Sequence, residues 1–390
     1  MAKPKNVMRA FVEARQATMT PSELTAMLGA FSKPRKTSFR INTLKAPDAA
    51  THRSILDSVA RRIAELHKPK RGSVYITKCP WSRTAYQLSD PSITARQLLD
   101  LDVHRQGLIH LQSLASMLPV LCFDPTPFQQ QSVPHSKVHD QPAMLVLDMC
   151  AAPGGKSTQL AELLGLDSSA TLILNEINAI RMPRLKQNIA SLIPAALQEN
   201  IHTVLCDGRK LVIRPDLHAE CQKGPDTHLH VSDRIAKGVL PNLVDAILLD
   251  APCSGEGTFS TLEPQSFANW SPAYVFKFQH LQRQLLDKAF RLLKPGGQLV
   301  YSTCTLSVEE NEANIEWLIG QHPSLSVVDL ALDFTDPQLS GIGKACFRPA
   351  GGPGFASAES SIPLHKALRV FPTQEYEGFF VCRLQKSLLL

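Results

Sequence analysis

Short apolar runs recur along the chain from residue 144 onward, and most of them end at an acidic or small polar residue. Such runs predict buried strands. They comprise Met144 to Leu147, Thr171 to Leu174, Val204 to Leu205, Ala246 to Leu249 and Gln298 to Tyr301. Segments with helical features lie between them. The alternation predicts an α/β fold with right-handed crossovers and a parallel, doubly wound sheet.

Start and stop signals define the predicted helices between these strands. Ser271-Pro272 begins a long helix that a basic turn and Pro295-Gly296 end. Ser307 and Glu310 have the spacing of a capping box for a helix to Ile319. Two further helices are predicted, at 158–164 and from Pro183 toward Ile193. Two further strands are predicted at 368–371 and 379–384.

The first part of the chain has weaker patterns. Residues 8–30 have roughly helical spacing that breaks near Thr20-Pro21, an N-cap followed by a proline at the first helical position. A strand is predicted at 39–44 and a helix at 107–121.

Two polar segments suggest the domain boundaries. We expect a helical and α/β region at 1–122, a linker or loop at 123–142, and a larger domain at 143–390. The polar stretch 208–243 predicts an insertion, which is either a surface segment or a lid.

Composition narrows the class of protein. Hydrophobic residues make up 44% of the 390 residues and charged residues 19%, which is ordinary for a soluble protein, and no run is long enough to cross a membrane. The nine cysteines form no C-x-x-C pair, so we expect no metal site. Their odd number and the lack of a secretory segment favour a reducing compartment. We expect the protein to lie in the cytoplasm, or in the nucleus or mitochondria if the source is a eukaryote. The basic N-terminal segment is either a transit signal or an ordinary terminus.

Basic residues cluster near residue 40. The formal charge of +6 permits a nucleic-acid partner without requiring one. Lys68-Pro69-Lys70-Arg71 is a second cluster. Each cluster is either a solvated surface or a phosphate-contacting face, on which Phe39 would stack. The candidate RNA contacts in the first cluster are Lys33, Arg35, Lys36, Arg40 and Lys45.

Acidic residues follow four of the predicted strands, which places them along one edge of the sheet: Asp148, Glu176, Asp207 and Asp250. Ligands bind at this edge in open α/β sheets. The Gly154-Gly155 turn and the helix after it favour an anionic group, and Glu176 is placed to bind a ribose. Helix capping is the alternative role for Glu176 and Asp207. Lys156 either steers a ligand or is a solvated lysine.

Two cysteines also follow buried strands at this edge. Cys253, in Asp250-Ala-Pro-Cys253, is the first candidate for a nucleophile, and Cys304 converges on the same edge. The two thiols could divide attack and proton removal between them. Packing is the expected role of the other cysteines, Cys79, Cys122, Cys150, Cys206, Cys221, Cys346 and Cys382.

Three motifs resemble those of the RNA cytosine-C5 methyltransferases of the Sun/Fmu family: Asp148-Met-Cys-Ala-Ala-Pro-Gly-Gly-Lys156, Asp250-Ala-Pro-Cys-Ser-Gly-Glu-Gly257 and Tyr301-Ser-Thr-Cys-Thr305. The resemblance spans residues 33 to 385 and includes 39–45, 112–117, 269–272 and 378–380. Trp270 and Glu309-Glu310-Asn311-Glu312 look most like the bacterial small-subunit ribosomal RNA branch.

The resemblance implies a Rossmann-like class I S-adenosylmethionine-dependent methyltransferase sheet with a smaller N-terminal RNA-binding region. It implies that Cys304 attacks C6 of a cytosine, that Cys253 promotes loss of the C5 proton and product release, and that Asp250 binds the cytosine edge. The implied cofactor residues are Cys150, Ala151, Ala152, Pro153, Gly154, Gly155, Lys156, Glu176, Asp207 and Asp250. We expect a monomer that acts on ribosomal RNA rather than transfer RNA.

Two departures from the family pattern leave the RNA substrate open. The 208–243 insertion is long, and Gln112-Ser113 replaces a glutamine–acid pair. The chain also has no room for the extra carboxyl-terminal RNA-binding domain of some members. Two alternatives remain. One is a DNA cytosine methyltransferase, which would use Cys253 as the nucleophile and would not need Cys304. The other is an assembly factor that only binds RNA.

Overall fold

The structure is a computed structural model that describes residues 4–66, 75–131, 144–165, 170–214, 235, 237–332, 347–349 and 362–388. Lys68–Arg71, Cys221, Cys346 and most of the 123–142 and 208–243 segments lie outside these ranges. None of the helices within them has the length and apolar character needed to cross a membrane.

Helices and strands alternate through the described chain. The helices are α1 (Pro4–Arg15), α2 (Pro21–Phe31), α3 (Ala49–Leu66), α4 (Ala95–Leu98), α5 (Asp102–Arg105), α6 (Leu114–Leu121), α7 (Thr126–Gln131), α8 (Gly155–Leu164), α9 (Met182–Leu192), α10 (Pro272–Leu292) and α11 (Glu312–Gln321). The strands are β1 (Ser38–Ile41), β2 (Ile76–Lys78), β3 (Ala85–Leu88), β4 (Ile109–Leu111), β5 (Met144–Asp148), β6 (Ala170–Glu176), β7 (Ile201–Leu205), β8 (Val212–Ile213), β9 (Val239–Leu240), β10 (Val244–Asp250), β11 (Leu293–Thr303), β12 (Leu325–Val327), β13 (Phe347–Pro349), β14 (Leu368–Val370) and β15 (Phe379–Lys386).

The central sheet has the strand order β13-β14-β15-β11-β10-β5-β6-β7, with β12 paired to β15. The five strands from β11 to β7 are parallel, which confirms the α/β expectation. The sheet is mostly rather than wholly parallel, because β15 pairs antiparallel with β11, β12 and β14. An antiparallel strand needs no crossover helix, so the helix–strand alternation seen upstream does not extend to this edge.

The N-terminal region forms a second, antiparallel sheet in the order β2-β3-β1-β4. One face of β1 packs through Phe39 and Ile41 against the buried face of α3. The helices α1 and α2 instead join a core with Phe259 and Trp270; the Phe11 and Trp270 rings meet edge to face at 5.4 Å. α6 packs on α8 and on β11 and β15 of the central sheet. The two parts therefore share extensive apolar contacts.

Local chemistry explains where the elements differ from the expectations. The helix predicted at 107–121 is wrong in its first half: Gly107 has a φ of +70°, and Ile109–Leu111 pairs with β1. The segment 124–133 contains α7 rather than only a loop. α10 ends near its expected position, but residues 294–297 belong to β11, where they form a bulge against β10.

The capping box at Ser307 and Glu310 is only half formed. Ser307 Oγ accepts from the Glu310 amide at 3.3 Å. The Glu310 carboxylate accepts instead from the Ser254 amide at 3.0 Å, and α11 begins at Glu312. The Glu310 carboxylate therefore makes a tertiary contact instead of capping the helix.

A buried ion pair ties α11 to the antiparallel edge. Arg369 donates from Nε to Glu312 Oε1 at 2.5 Å, from Nη2 to Glu312 Oε2, and from Nη1 to the Leu306 carbonyl at 2.9 Å. We expect Arg369→Met to lower the free energy of unfolding by about 3–5 kcal/mol, because it leaves a buried carboxylate unpaired. The double variant Arg369→Met/Glu312→Leu should lose less. Urea denaturation at neutral pH measures both, and equal losses would contradict the prediction.

Candidate active site

The three central strands end side by side at one edge of the sheet. β10 lies between β5 and β11, and its register pairs Asp250 with Ser302 and Leu248 with Asp148. The chain continues from β5 to β6 and β7 on one side and to β10 on the other, so this edge is the topological switch point where α/β folds bind ligands.

The register brings the two cysteines into contact. Cys253 Sγ and Cys304 Sγ lie 3.3 Å apart, and both are free thiols. The hydrogen bond with Cys304, together with burial, raises the pKa of Cys253 well above its ordinary value. Cys253 therefore carries a proton in the ligand-free protein.

Lys156 and Asp250 form an ion pair beside the thiols. Lys156 Nζ lies 2.8 Å from Asp250 Oδ2, donates to Ser116 Oγ at 2.7 Å and lies 5.3 Å from the centre of the Phe379 ring. Ser302 Oγ donates to Asp250 Oδ1 at 2.8 Å. Burial lowers the pKa of Lys156, but Asp250 and Cys304 more than offset it, so the pKa is raised and the ammonium stays charged. Of the two alternatives considered for Lys156, the solvated lysine is excluded.

The loop after β5 forms a turn at the N-terminus of α8. Gly154 adopts a φ of +107°, which favours glycine, and the Ala152–Pro153 bond is cis. A Cβ on Gly155 would lie 3.1 Å from His110 Nε2, so the turn is closely packed on the N-terminal sheet. Amides at the start of a ten-residue helix are free to bind an anionic group.

Glu176 and Asp207 end the outer strands of the edge. Glu176 is buried; its Oε1 accepts from the Asn178 amide at 2.7 Å, and Oε2 lies 3.3 Å from Arg181 Nη1. Asp207 accepts from the Arg209 amide at 3.0 Å and from its guanidinium. Asp207 therefore caps a 3₁₀ turn, the alternative considered from the sequence, and Glu176 likewise accepts from the amide two residues after it.

A close contact of two glycines supports the loop that carries Cys304. The Gly257 amide donates to the Cys304 carbonyl at 2.9 Å, and the Gly378 amide donates to the Gly257 carbonyl at 3.0 Å. A Cβ on Gly378 would lie 2.7 Å from Gly257 Cα, so a side chain there would force the backbones apart.

The five basic residues of the first cluster occupy different environments. Arg40 is only 1% exposed and donates to Gln112, Thr158, Glu162 and the Gly155 carbonyl. Its prediction as a phosphate contact is corrected, because the guanidinium is buried against α8. The others are placed as follows: Arg35 pairs with Glu377, Lys36 with Glu375, Lys45 donates to the Gln106 and Ser191 carbonyls, and Lys33 is exposed.

Several side chains that hold the site were not found from the sequence. Ser116 and Ser302 contact the ion pair, and Glu310 and Asn311 contact the turns that carry the cysteines. Ser302 had a detectable signal, since it lies two residues before Cys304 at a strand end. Among the described residues, no group of three or more His, Cys, Asp or Glu could hold a metal ion.

The buried Asp148 makes stability depend on pH. Burial raises its pKa to about 7, although Ser157 Oγ donates to it at 2.7 Å. The folded state thus binds a proton that the unfolded state releases near pH 4, so the contribution to stability is complete below pH 4 and is lost as pH rises through 7.

In the wild-type protein, Asp148 should make the free energy of unfolding fall by up to about 1.4 kcal/mol per pH unit as the pH rises from about 4 to about 7. We expect Asp148→Asn to abolish this fall. Urea denaturation of the ligand-free protein from pH 5 to 8 measures it. Asp207→Asn is the control: the hydrogen bond from Arg209 lowers the pKa of Asp207, so its effect falls below this range. Parallel pH profiles for wild type and Asp148→Asn would contradict the prediction.

Known structures share this fold. A methyltransferase homolog protein from Pyrococcus horikoshii has a TM-score of 0.63 at 23% identity, covering 98% of each chain. NSun6 from Pyrococcus horikoshii, described with SFG, has a TM-score of 0.62 at 20% identity, covering 97% of this chain and 98% of that chain. The Rossmann-like class I methyltransferase fold implied by the resemblance is confirmed.

Curated relatives agree along nearly the whole chain. Ribosomal RNA small subunit methyltransferase F of Enterobacter sp. (strain 638) is 31% identical over 379 residues, 97% of this chain and 62% of the relative. The protein of that name from Aliivibrio fischeri (strain MJ11) is 31% identical over 381 residues, 97% of this chain and 64% of the relative. The chain thus spans less than two thirds of their length. A model of the 16S rRNA methyltransferase RsmB/F family matches residues 137–385. The protein belongs to that family, as its motifs implied.

Proposed function

We propose that the protein transfers a methyl group from S-adenosylmethionine to C5 of a cytosine in ribosomal RNA. The observation that carries this proposal is the contact of the Cys253 and Cys304 thiols, 3.3 Å apart, near the Lys156–Asp250 ion pair. The names of the curated relatives support small-subunit ribosomal RNA as the substrate. We further propose action in the cytoplasm as a monomer, with residues 143–390 as the catalytic domain and residues 1–122 contributing to RNA binding.

The edge of the sheet has the chemistry to hold S-adenosylmethionine. The glycine turn from Cys150 to Lys156 and the start of α8 suit its carboxylate, and Glu176 suits its ribose hydroxyls. Asp250 borders the same cleft, and Asp207 adds a carboxylate farther along. When bound, the cofactor supplies an electrophilic methyl group on a sulfonium.

Cys304 is the proposed nucleophile. Its thiolate attacks C6 of the cytosine, which pushes electron density to C5 and makes that carbon nucleophilic. The Lys156 ammonium lies close enough to interact with Cys304 and stabilises negative charge on the sulfur. Asp250, fixed by Ser302 and Lys156, hydrogen-bonds the cytosine edge and stabilises the charge of the adduct.

Cys253 is the proposed release group. When Cys304 Sγ bonds to C6, the hydrogen bond that holds the proton on Cys253 is lost, and Cys253 releases this proton to solvent. Once C5 carries the methyl group, the C5 proton passes to the resulting Cys253 thiolate. The C5–H electron pair re-forms the C5=C6 double bond, the C6–S bond breaks, and Cys304 leaves as a thiolate. Two thiols in contact suit this division of labour. A DNA methyltransferase that uses only the Pro-Cys cysteine, or a factor that only binds RNA, would not require the second thiol.

We expect Cys304→Ala to lower methyl transfer to unmodified small-subunit ribosomal RNA by roughly 10³-fold or more, as loss of a covalent nucleophile does in other enzymes. Tritium transfer from labelled S-adenosylmethionine measures it, and calorimetry should show cofactor binding retained. Cys206→Ala, which changes another partly buried thiol at a strand end, is the matched control. Full activity of Cys304→Ala would refute the proposed mechanism.

We expect Cys253→Ala to accumulate a covalent RNA–protein adduct, because attack and methylation proceed without the group that promotes elimination. A denaturing gel with labelled RNA shows the adduct as a retarded band. The double variant Cys253→Ala/Cys304→Ala should show none. If the single variant also shows none while it methylates RNA at the wild-type rate, Cys253 is not the release group.

A further inference from the structure

Two adjacent buried residues, Glu310 and Asn311, hold the turns that carry the two thiols. They lie between the end of β11 and the start of α11, and both are fully buried. Within the described part of the chain, neither side chain hydrogen-bonds a sulfur. Their side chains contact the backbone and side chains that flank the two cysteines, one residue for each turn.

Glu310 fixes both sides of Cys253. Its Oε2 accepts from the Ser254 amide at 3.0 Å and from Gln282 Nε2 at 2.8 Å. Gln282 Nε2 also donates to the Pro252 carbonyl at 2.8 Å. The carboxylate therefore contacts the peptide after Cys253 directly and the peptide before it through one side chain.

Asn311 fixes both sides of Cys304. Its Oδ1 accepts from Thr303 Oγ1 at 2.6 Å, and its Nδ2 donates to the Thr305 carbonyl at 3.1 Å. The two turns are also joined to each other by a 2.7 Å hydrogen bond between Ser254 Oγ and Thr305 Oγ1. A shift of either side chain would change the separation of the sulfurs.

Helices α10 and α11 anchor this arrangement. Asn314 Nδ2 donates to Gln282 Oε1 at 2.9 Å and to the Glu310 carbonyl at 3.0 Å, and Tyr301 OH donates to the same carbonyl at 2.6 Å. The positions of Glu310 and Gln282 are thus fixed by packed elements rather than by the loops that they hold.

Glu310 acts through an accepting oxygen and needs no full negative charge to do so. Burial raises its pKa to about 7, and its Oε1 has no hydrogen-bond partner within the described part of the chain. An amide in its place can present the same acceptor to Ser254 and Gln282. A group that transferred protons could not be replaced in this way.

We infer that Glu310 and Asn311 are positioning residues for the proposed reaction, with Glu310 placing Cys253 for release and Asn311 placing Cys304 for attack. The inference rests on the proposed function. It assigns separate kinetic steps to two residues that are neighbours in sequence, which a purely structural role would not do.

The test follows the covalent adduct through single turnovers with in vitro transcribed small-subunit ribosomal RNA and S-adenosylmethionine, on denaturing gels. Glu310→Ala should form the adduct at about the wild-type rate and resolve it about 10²-fold more slowly, as expected for a misplaced reacting group. Asn311→Ala should form the adduct about 10²-fold more slowly and accumulate none. Equal slowing of both steps by both variants, or no slowing, overturns the inference.

Conservative variants separate positioning from chemistry and from misfolding. Glu310→Gln should recover most of the release rate lost in Glu310→Ala; an equal loss would assign Glu310 a proton-transfer role and overturn the inference. Where an alanine variant fails to melt cooperatively or to bind S-adenosylmethionine, Gln282→Met replaces it for the release step and Thr303→Val for the attack step. Gln282→Met removes three hydrogen bonds and Thr303→Val removes one, each with little change of volume. Each variant should slow only its own step, and the reverse pattern overturns the inference.

Wild-type protein distinguishes this inference from the proposed function. If the wild-type protein does not methylate the RNA and Cys253→Ala traps no adduct, the proposed function fails. If the wild type methylates the RNA and Cys253→Ala traps the adduct, but the Glu310 and Asn311 variants do not separate the two steps, only the positioning inference fails.

Discussion

The parallel pairing of β10 with β11 is the constraint on which the site depends. Asp250 and Ser302 are register partners, so the turns that follow them start side by side. A shift of one residue would turn each side chain to the opposite face of the sheet. It would separate the thiols and also break the hydrogen bond from Ser302 to Asp250. The bulge at 294–297 absorbs the extra length of β11 before the paired segment begins, so the register at the functional end is kept.

Burial gives the site its unusual electrostatics. Burial raises the pKa of both Asp148 and Glu310 to about 7, and Lys156 stays charged because Asp250 lies beside it. Each acid lies under a loop that carries a functional group: Asp148 under the glycine turn, Glu310 under the Cys253 turn. Both acids therefore favour the protonated form more than a solvated carboxyl does, whereas the Lys156–Asp250 ion pair lies beside the thiols.

The sequence predicted the central strands and the edge of the sheet well, because buried strands leave continuous apolar runs that end at Asp148, Glu176 and Asp250. It predicted strands near β1, β14 and β15, but not their antiparallel pairing and not β2, β3 and β4, because short strands depend on long-range pairing. It assigned Arg40 to the surface because charged side chains usually lie there, whereas four hydrogen-bond acceptors compensate for the burial of its guanidinium. Family resemblance moved the nucleophile from Cys253 to Cys304, which spacing alone left open.

The contact between Gly257 and Gly378 has a consequence for the order in which the site forms. Gly257, whose amide donates to the Cys304 carbonyl, itself accepts from Gly378, a residue 74 positions after Cys304 and just before β15. During synthesis, both thiols and the glycine turn leave the ribosome before Gly378 does. The emerging chain can therefore pair β5, β10 and β11 while Gly257 still lacks its contact with Gly378. The site thus depends on a long-range contact that can form only after synthesis has passed Gly378.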